Sequence, residues 1–194
     1  PDIMARAVIM SGAYEHNWKK HSALSAPFER WQNKLPLYNT RLSNLSAALV
    51  RAQLPEAARR VADGLRNHDH VAQHLNASDW ITVPDALGQE CRAPDSIQFN
   101  LVDMSENDVA AFVAAAKRRG VSVQVFGQSA DNARAFWNWQ FLSALPDLPQ
   151  TRAMLMRACD VRLPARLTLA ECDLVAEALV AAASEVKGPQ RAVA

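Results

Sequence analysis

Leu37-Tyr38-Asn39-Thr40-Arg41-Leu42-Ser43-Asn44-Leu45-Ser46-Ala47-Ala48-Leu49 places an Asn-x-Arg triplet at the head of an alanine- and leucine-rich segment. That segment predicts a helix from about Arg41 to Gln53. A short polar side chain ahead of a helix caps it through its oxygen. The same helix end presents unpaired N–H groups and the positive end of the dipole, which suits a phosphate. An Asn amide also donates to phosphate oxygens. Residue types alone favour capping by Asn39 and leave phosphate binding as the alternative.

Upstream, Asp2 to Ser11 reads as a short helix stopped by Gly12. Residues 12 to 36 read mostly as a loop, with a short helix around Pro27 to Asn33, where proline suits a first turn. So long a connection tends to be functional. Downstream, Pro55 opens a helix reaching about Leu75. Ala58, Val61, Leu65, Val71 or Ala72, and Leu75 form its predicted inner face. Arg59, Arg60, Asp63 and Arg66 lie opposite.

The pattern then changes. Trp80 to Val83 reads as a short strand, followed by a loop with Pro84 and Gly88. Ser96 to Asp103 alternates, with Ile97, Phe99 and Leu101 on one side and Gln98 and Asn100 on the other, as in a half-buried strand. Ser105 and Asp108 have capping-box spacing. They open a helix lined by Val109, Phe112, Val113 and Ala116 and stopped by Gly120. Val121, Val123 and Val125 predict a further strand. Pro149 to Ala158 reads as helix and Val161 to Leu163 as strand or extended edge. Thr168 and Glu171 form a second capping box, opening a helix through about Ser184 with Leu174, Val175, Ala178 and Leu179 inward. Residues 188 to 194 are expected to fray. Residues 77 to 186 therefore predict a small α/β lobe with helices on one face of a short sheet.

Composition narrows the function classes. The 194 residues are 49% hydrophobic with a net charge of +1, enough for a sizeable core and without the basic excess that nucleic acid or an anionic membrane attracts. The apolar run Ala178 to Ala183 is too short to span a bilayer. The first residues lack the shape of a signal peptide, so a cytoplasmic location is expected. Cys91, Cys159 and Cys172 form no CxxC pair and no Cys/His ligand set, and read as buried reduced thiols.

Several clusters invite chemistry. The loop holding Tyr14, Glu15, His16, Trp18, Lys19, Lys20 and His21 could meet a nucleotide diphosphate by charge and a base by stacking. A solvated loop whose aromatics pack on a neighbouring subunit is the plainer reading. His70 and His74 have zinc-ligand spacing, but position 71 is Val where HExxH needs Glu, and no third ligand is evident. They read as surface histidines, so no metal is expected. His68 falls on the apolar stripe and reads as packed. Trp137 and Trp139 read as core aromatics. GxSxG, GxxxxGK and GxGxxG are all absent.

The segment Asn39-Thr40-Arg41, followed by Ala47-Ala48-Leu49-Val50-Arg51-Ala52-Gln53-Leu54, resembles the DegT/DnrJ/EryC1/StrS family of pyridoxal-phosphate-dependent sugar aminotransferases. Ile97 to Val102, Gly120-Val121, Leu163-Pro164, Leu167-Thr168 and Glu171 extend the similarity over roughly residues 2 to 182. Two departures stand out. Thr40 replaces the usual aromatic, and Val125-Phe126-Gly127-Gln128 lacks the common Pro-Leu-His wording.

The resemblance implies an α/β chain: the C-terminal portion of an aspartate aminotransferase-like, fold type I transferase. Residues 1–54 would end the large cofactor-binding domain, 55–76 form the linking helix, 77–186 the small domain and 187–194 a tail. It implies that Asn39 reaches across a homodimer interface to the pyridoxal 5'-phosphate of the partner subunit, with Arg41 beside the shared active site. Tyr14, Lys19 and His21 become candidate substrate contacts. The implied reaction moves an amino group from glutamate or glutamine to a nucleotide-linked keto sugar. The family's Schiff-base lysine lies upstream of this segment, and none of Lys19, Lys20, Lys34, Lys117 and Lys187 has its strand-to-glycine-turn setting. The chain is thus expected to be a C-terminal half that cannot transaminate alone. A dehydratase of the same family and a non-catalytic partner-binding module are the rival expectations.

Overall fold

A computed structural model describes residues 1–10, 25–36, 38, 44–129 and 132–188. The chain divides into two compact units, residues 1–53 with 129–149, and residues 54–128 with 150–194.

In the first unit, α1 (Asp2–Met10) packs on α2 (Ser25–Trp31). Ala5, Ile9 and Phe28 are buried between them, with Trp31 and Leu35 against them. Arg30 pairs with Asp2 at 2.9 Å, and the Arg6 guanidinium lies over the Trp31 ring. The Tyr38 N–H donates to the Met10 carbonyl at 2.7 Å, tying the approach to the Asn-x-Arg segment to the end of α1. The helix that follows, α3, is described over Asn44–Arg51. The later segment of this unit folds around the Asn138 amide, which donates to the carbonyls of Ser129 and Asn132. Phe136 is buried there, but Trp137 and Trp139 are only half-buried, which corrects their reading as core residues. Trp137 packs edge-on against Phe136, and Trp139 stacks on Phe141.

The second unit is a four-stranded antiparallel sheet under three helices. Its strands are β1 (Ile81–Thr82), β2 (Ser96–Leu101), β3 (Gln124–Val125) and β4 (Ala158–Arg162), in the order β1-β2-β4-β3. The register sets Ile97 opposite Val161, and Phe99 and Val125 opposite Cys159. All of these face one side, because side chains alternate along a strand. Against that side pack α4 (Ala57–Asn76), α5 (Glu106–Arg118) and α7 (Leu169–Lys187), which supply Val71, Leu75, Val109, Phe112, Leu179 and Ala183 to one core. The remaining helix, α6 (Pro149–Leu155), leads into β4.

Both capping boxes form. The Ser105 hydroxyl accepts from the Asp108 N–H, and the Thr168 hydroxyl from the Glu171 N–H, while each acid takes back the cap's own N–H. The Ser105 N–H and the Ser105 hydroxyl both donate to the Asp108 carboxylate, and these bonds hold it below its usual range. Gly120, at φ +87°, ends α5 in a conformation that costs glycine nothing. The far end of α7 is pinned by Lys187, which donates to the Asp103 carbonyl at 2.7 Å.

Four expectations need correction. The buried face of α4 is Gly64, Asn67, His68, Val71 and Leu75, while Ala58 is exposed and Val61 and Leu65 are half-buried. At 3.6 residues per turn this is the predicted stripe rotated by roughly a quarter turn. The reason is what α4 packs against, which is backbone as well as side chains. A Cβ on Gly64 would sit 2.6 Å from the Pro94 carbonyl oxygen. The buried Asn67 amide donates to the Leu167 carbonyl at 3.0 Å, and to those of Pro164 and Ala165 at 3.4 Å. Leu174 is 65% exposed, not inward. Only Gln124 and Val125 of the valine-rich segment join the ladder, since β3 is an edge strand whose alternation serves burial more than pairing. The helix expected over Pro149 to Ala158 stops at Leu155, and the strand expected from Val161 already starts at Ala158, because Arg157 turns its carbonyl to the Leu101 N–H.

Gly64→Ala is expected to destabilise this unit by about 1–3 kcal/mol, as overpacking against a fixed carbonyl does. A urea melt of the variant reads it directly. An unchanged midpoint would show that Pro94 moves aside without cost.

Among the described residues, no helix is long and apolar enough to cross a membrane.

Candidate functional site

The segment with most chemistry in the sequence lies outside the described residues. That holds for Asn39 and Arg41, and for Tyr14, Lys19 and His21 of the upstream loop. What the structure does place is the frame on either side of the triplet: the Tyr38 anchor on Met10, and α3 from Asn44.

The described lysines match none of the needs of a covalent cofactor site. Lys34 and Lys117 are exposed, and Lys187 donates to Asp103 and lies over the Trp80 ring. The thiols are free. Cys159 and Cys172 are buried as expected, but Cys91 is exposed, against expectation, because it sits in the loop between β1 and β2. Burial, with a smaller contribution from Asp160, pushes the Cys159 thiol up to about 12. It is therefore a packing residue and not a nucleophile.

In the second unit, α4 and residues 84–96 enclose an open cleft of about 430 Å³, lined by His68, Glu90, Cys91, Arg92, Ser96 and Gln98 among others. Its charges are already spoken for. Arg92 donates through Nε to Glu90 at 2.9 Å and through one terminal nitrogen to the Asp85 carbonyl at 2.9 Å. The Leu87 N–H donates to the same Glu90 carboxylate at 3.0 Å. These bonds, first from Arg92 and then from Leu87, lower the Glu90 pKa. The Arg–Glu pair is a loop clamp rather than a free anion receptor. His68 is buried as expected, with Nδ1 3.2 Å from Asp69 Oδ1.

Two arrangements went unseen in the sequence. On the sheet face away from the helices, the register sets Asp160 between Gln98 and Gln124. Asp160 is buried, and its Oδ1 has no hydrogen-bond partner among the described residues. The alternation of Gln98 against Ile97 was the visible half of this polar row. The second arrangement joins His70 and His74 of α4 to Asp173 of α7, with His70 Nε2 2.6 Å and His74 Nδ1 3.8 Å from Asp173 Oδ1. The spacing of the histidines was legible, but the carboxylate lies 103 residues from His70.

Comparison with known proteins sets this fold in context. No curated protein sequence matches the chain significantly. Solved structures do. PseC of Helicobacter pylori, an aminotransferase involved in the biosynthesis of pseudoaminic acid, superposes with a TM-score of 0.62 at 14% identity, over 78% of this chain and 40% of its own. 3-Amino-5-hydroxybenzoic acid synthase gives 0.58 at 19% identity, over 89% and 47%. An aminotransferase from Psychrobacter cryohalolentis gives 0.57 at 16% identity, over 95% and 49%. At these identities the likeness establishes the fold, that of part of a fold type I transferase. The chain spans less than half the length of each of these proteins. The sequence model of the DegT/DnrJ/EryC1/StrS aminotransferase family matches residues 13–180, which covers the Asn-x-Arg segment, α4 and the sheet together, and the chain belongs to that family.

Proposed function

We propose that this chain is the C-terminal part of a pyridoxal-phosphate-dependent aminotransferase that moves an amino group from glutamate or glutamine to a nucleotide-linked keto sugar. The observation that carries this reading is the family match over residues 13–180. The sugar aminotransferases among its structural neighbours, including CalS13 of Micromonospora echinospora, agree with the substrate class. Exposed apolar side chains support a missing packing partner: Ile3 and Met4 on α1, and Leu45, Leu49 and Val50 on α3. Within α3, Leu45 and Leu49 stand four residues apart on one face, as on a helix face that another part of the protein covers.

In this reading residues 1–54 complete a large domain, residues 55–76 link the two domains, and residues 77–186 form the small domain. The enzyme is a cytoplasmic homodimer with shared active sites. Asn39 donates its amide to the cofactor phosphate held by the partner subunit. Arg41 borders the substrate, and Tyr14, Lys19 and His21 reach toward its nucleotide. When bound, the cofactor supplies the electron sink for the amino transfer. The lysine that anchors it is expected from outside this chain: none of its five lysines has the family's strand-to-glycine-turn setting in sequence, and the described ones are exposed or engaged elsewhere.

The test compares the purified chain with the same chain extended by the residues encoded upstream of Pro1. Both receive pyridoxal 5'-phosphate, glutamate and a nucleotide-linked keto sugar. The extended protein is expected to form the amino sugar and 2-oxoglutarate, and the chain alone neither. Amino transfer by the chain alone would overturn the division of labour. Loss of water from the sugar without amino transfer would reassign the enzyme as a dehydratase.

A further inference from the structure

His70, His74 and Asp173 play no part in the transamination reading. We infer that they form a binding site for a divalent transition metal that clips α4 to α7. His70 and His74 stand four residues apart and so share one face of α4. Asp173 comes from the second turn of α7, packed alongside. One candidate ligand atom from each residue lies within 4.8 Å of the other two. A tetrahedral zinc ion, with bonds of about 2.0–2.1 Å, holds its ligand atoms roughly 3.3 Å apart. Closing the set requires shifts of about 1.5 Å or less at side-chain ends, which half-exposed side chains supply by rotation.

The pairwise contacts with Asp173 engage one histidine fully and leave the other short of it. His70 Nε2 meets Asp173 Oδ1 at 2.6 Å, a full hydrogen bond. His74 aims Nδ1 at the same oxygen from 3.8 Å, beyond hydrogen-bond reach. The two rings lie with centroids 4.7 Å apart. A single cation between them uses all three groups at once. Two imidazoles and one carboxylate select zinc, cobalt, nickel or copper over magnesium or calcium. Three protein ligands leave a further position for water, and the side chains are exposed enough for an ion to enter.

The test uses the full chain, stripped with chelator and titrated with zinc sulfate by calorimetry, with cobalt chloride as a spectroscopic probe. One equivalent of zinc is expected to bind with a dissociation constant on the order of micromolar. Saturating zinc is expected to raise the melting temperature by about 5 °C, because the ion binds only the folded state. His74→Ala is the decisive variant, since its ring makes no full hydrogen bond to Asp173 and its loss spares the His70–Asp173 contact. It is expected to weaken zinc binding at least about tenfold, a loss typical even of groups that only support a ligand, and to remove the thermal shift. Asp173→Asn is expected to do the same. The inference fails if the stripped chain takes up no zinc. It also fails if His74→Ala binds as tightly as the parent, including the case where Cys91→Ser abolishes binding and so assigns the metal to that exposed thiol.

Discussion

Phe99→Ala is expected to destabilise the sheet-bearing unit by about 3–5 kcal/mol, the range for removing a buried aromatic ring. Phe99 is 1% exposed at the centre of β2, opposite Cys159. Its ring meets that of Phe112 edge to face, at 6.2 Å between centroids and 82° between planes. The substitution therefore removes apolar burial, leaves a cavity between the sheet and α5, and deletes a ring pair that contributes about 0.5–1.5 kcal/mol beyond its area. Natural domains hold only about 5–15 kcal/mol in all, so the variant would be near the edge of folding. A fall in melting temperature of about 10 °C is expected for a chain of this size. Leu174→Ala is the control. Leu174 is equally apolar but lies on the outer face of α7, and its loss should change stability by no more than about 0.5 kcal/mol. If Phe99→Ala and Leu174→Ala melt together, the core assigned here is not the one that holds the unit.

Asn39→Ala, made in the extended enzyme, is expected to weaken pyridoxal 5'-phosphate binding by roughly 10–100-fold. A hydrogen bond to a charged group is worth about 1.5–3 kcal/mol, and the phosphate is charged throughout the working pH range. This prediction rests on the proposed function, and it separates the two readings that residue type leaves open. Serine caps a helix about as well as asparagine, but its only side-chain donor, the hydroxyl, is one bond nearer the backbone and does not extend to where the Asn amide nitrogen reaches. Asn39→Ser should keep the melting temperature of the parent and still lose cofactor affinity if the phosphate role is right. If Asn39→Ser binds cofactor normally while Asn39→Ala is merely less stable, Asn39 is a cap and the cofactor phosphate is held elsewhere. Absorbance titration with the cofactor measures the first quantity and thermal denaturation the second.

What the chain says about itself locally was legible. Both capping boxes, Ser105 with Asp108 and Thr168 with Glu171, were readable because each is a contact between residues three apart. The inner face of α5 was readable because Val109, Phe112 and Ala116 repeat at the helical period over an apolar sheet. The alternation of β2 marked its buried side for the same reason. Family membership was visible in the Asn-x-Arg segment, and the matched span of residues 13–180 bears it out.

Tertiary structure decided the features whose partners are distant in sequence. α4 turned a glycine and an asparagine inward because it packs on the Pro94 carbonyl and on the carbonyls of Pro164, Ala165 and Leu167. No hydrophobic period records a need for close backbone approach or for a buried donor. Asp160 entered the middle of the sheet because β4 begins at Ala158, ahead of the strand that the apolar pattern predicts at Val161. Asp173 completed the histidine pair across 103 residues, a distance that only the packing of α7 on α4 removes. Periodicity and capping are properties of a few consecutive residues and so reside in the sequence itself. Which polar group meets which across the fold depends on how the helices dock, and that is set by the whole core at once.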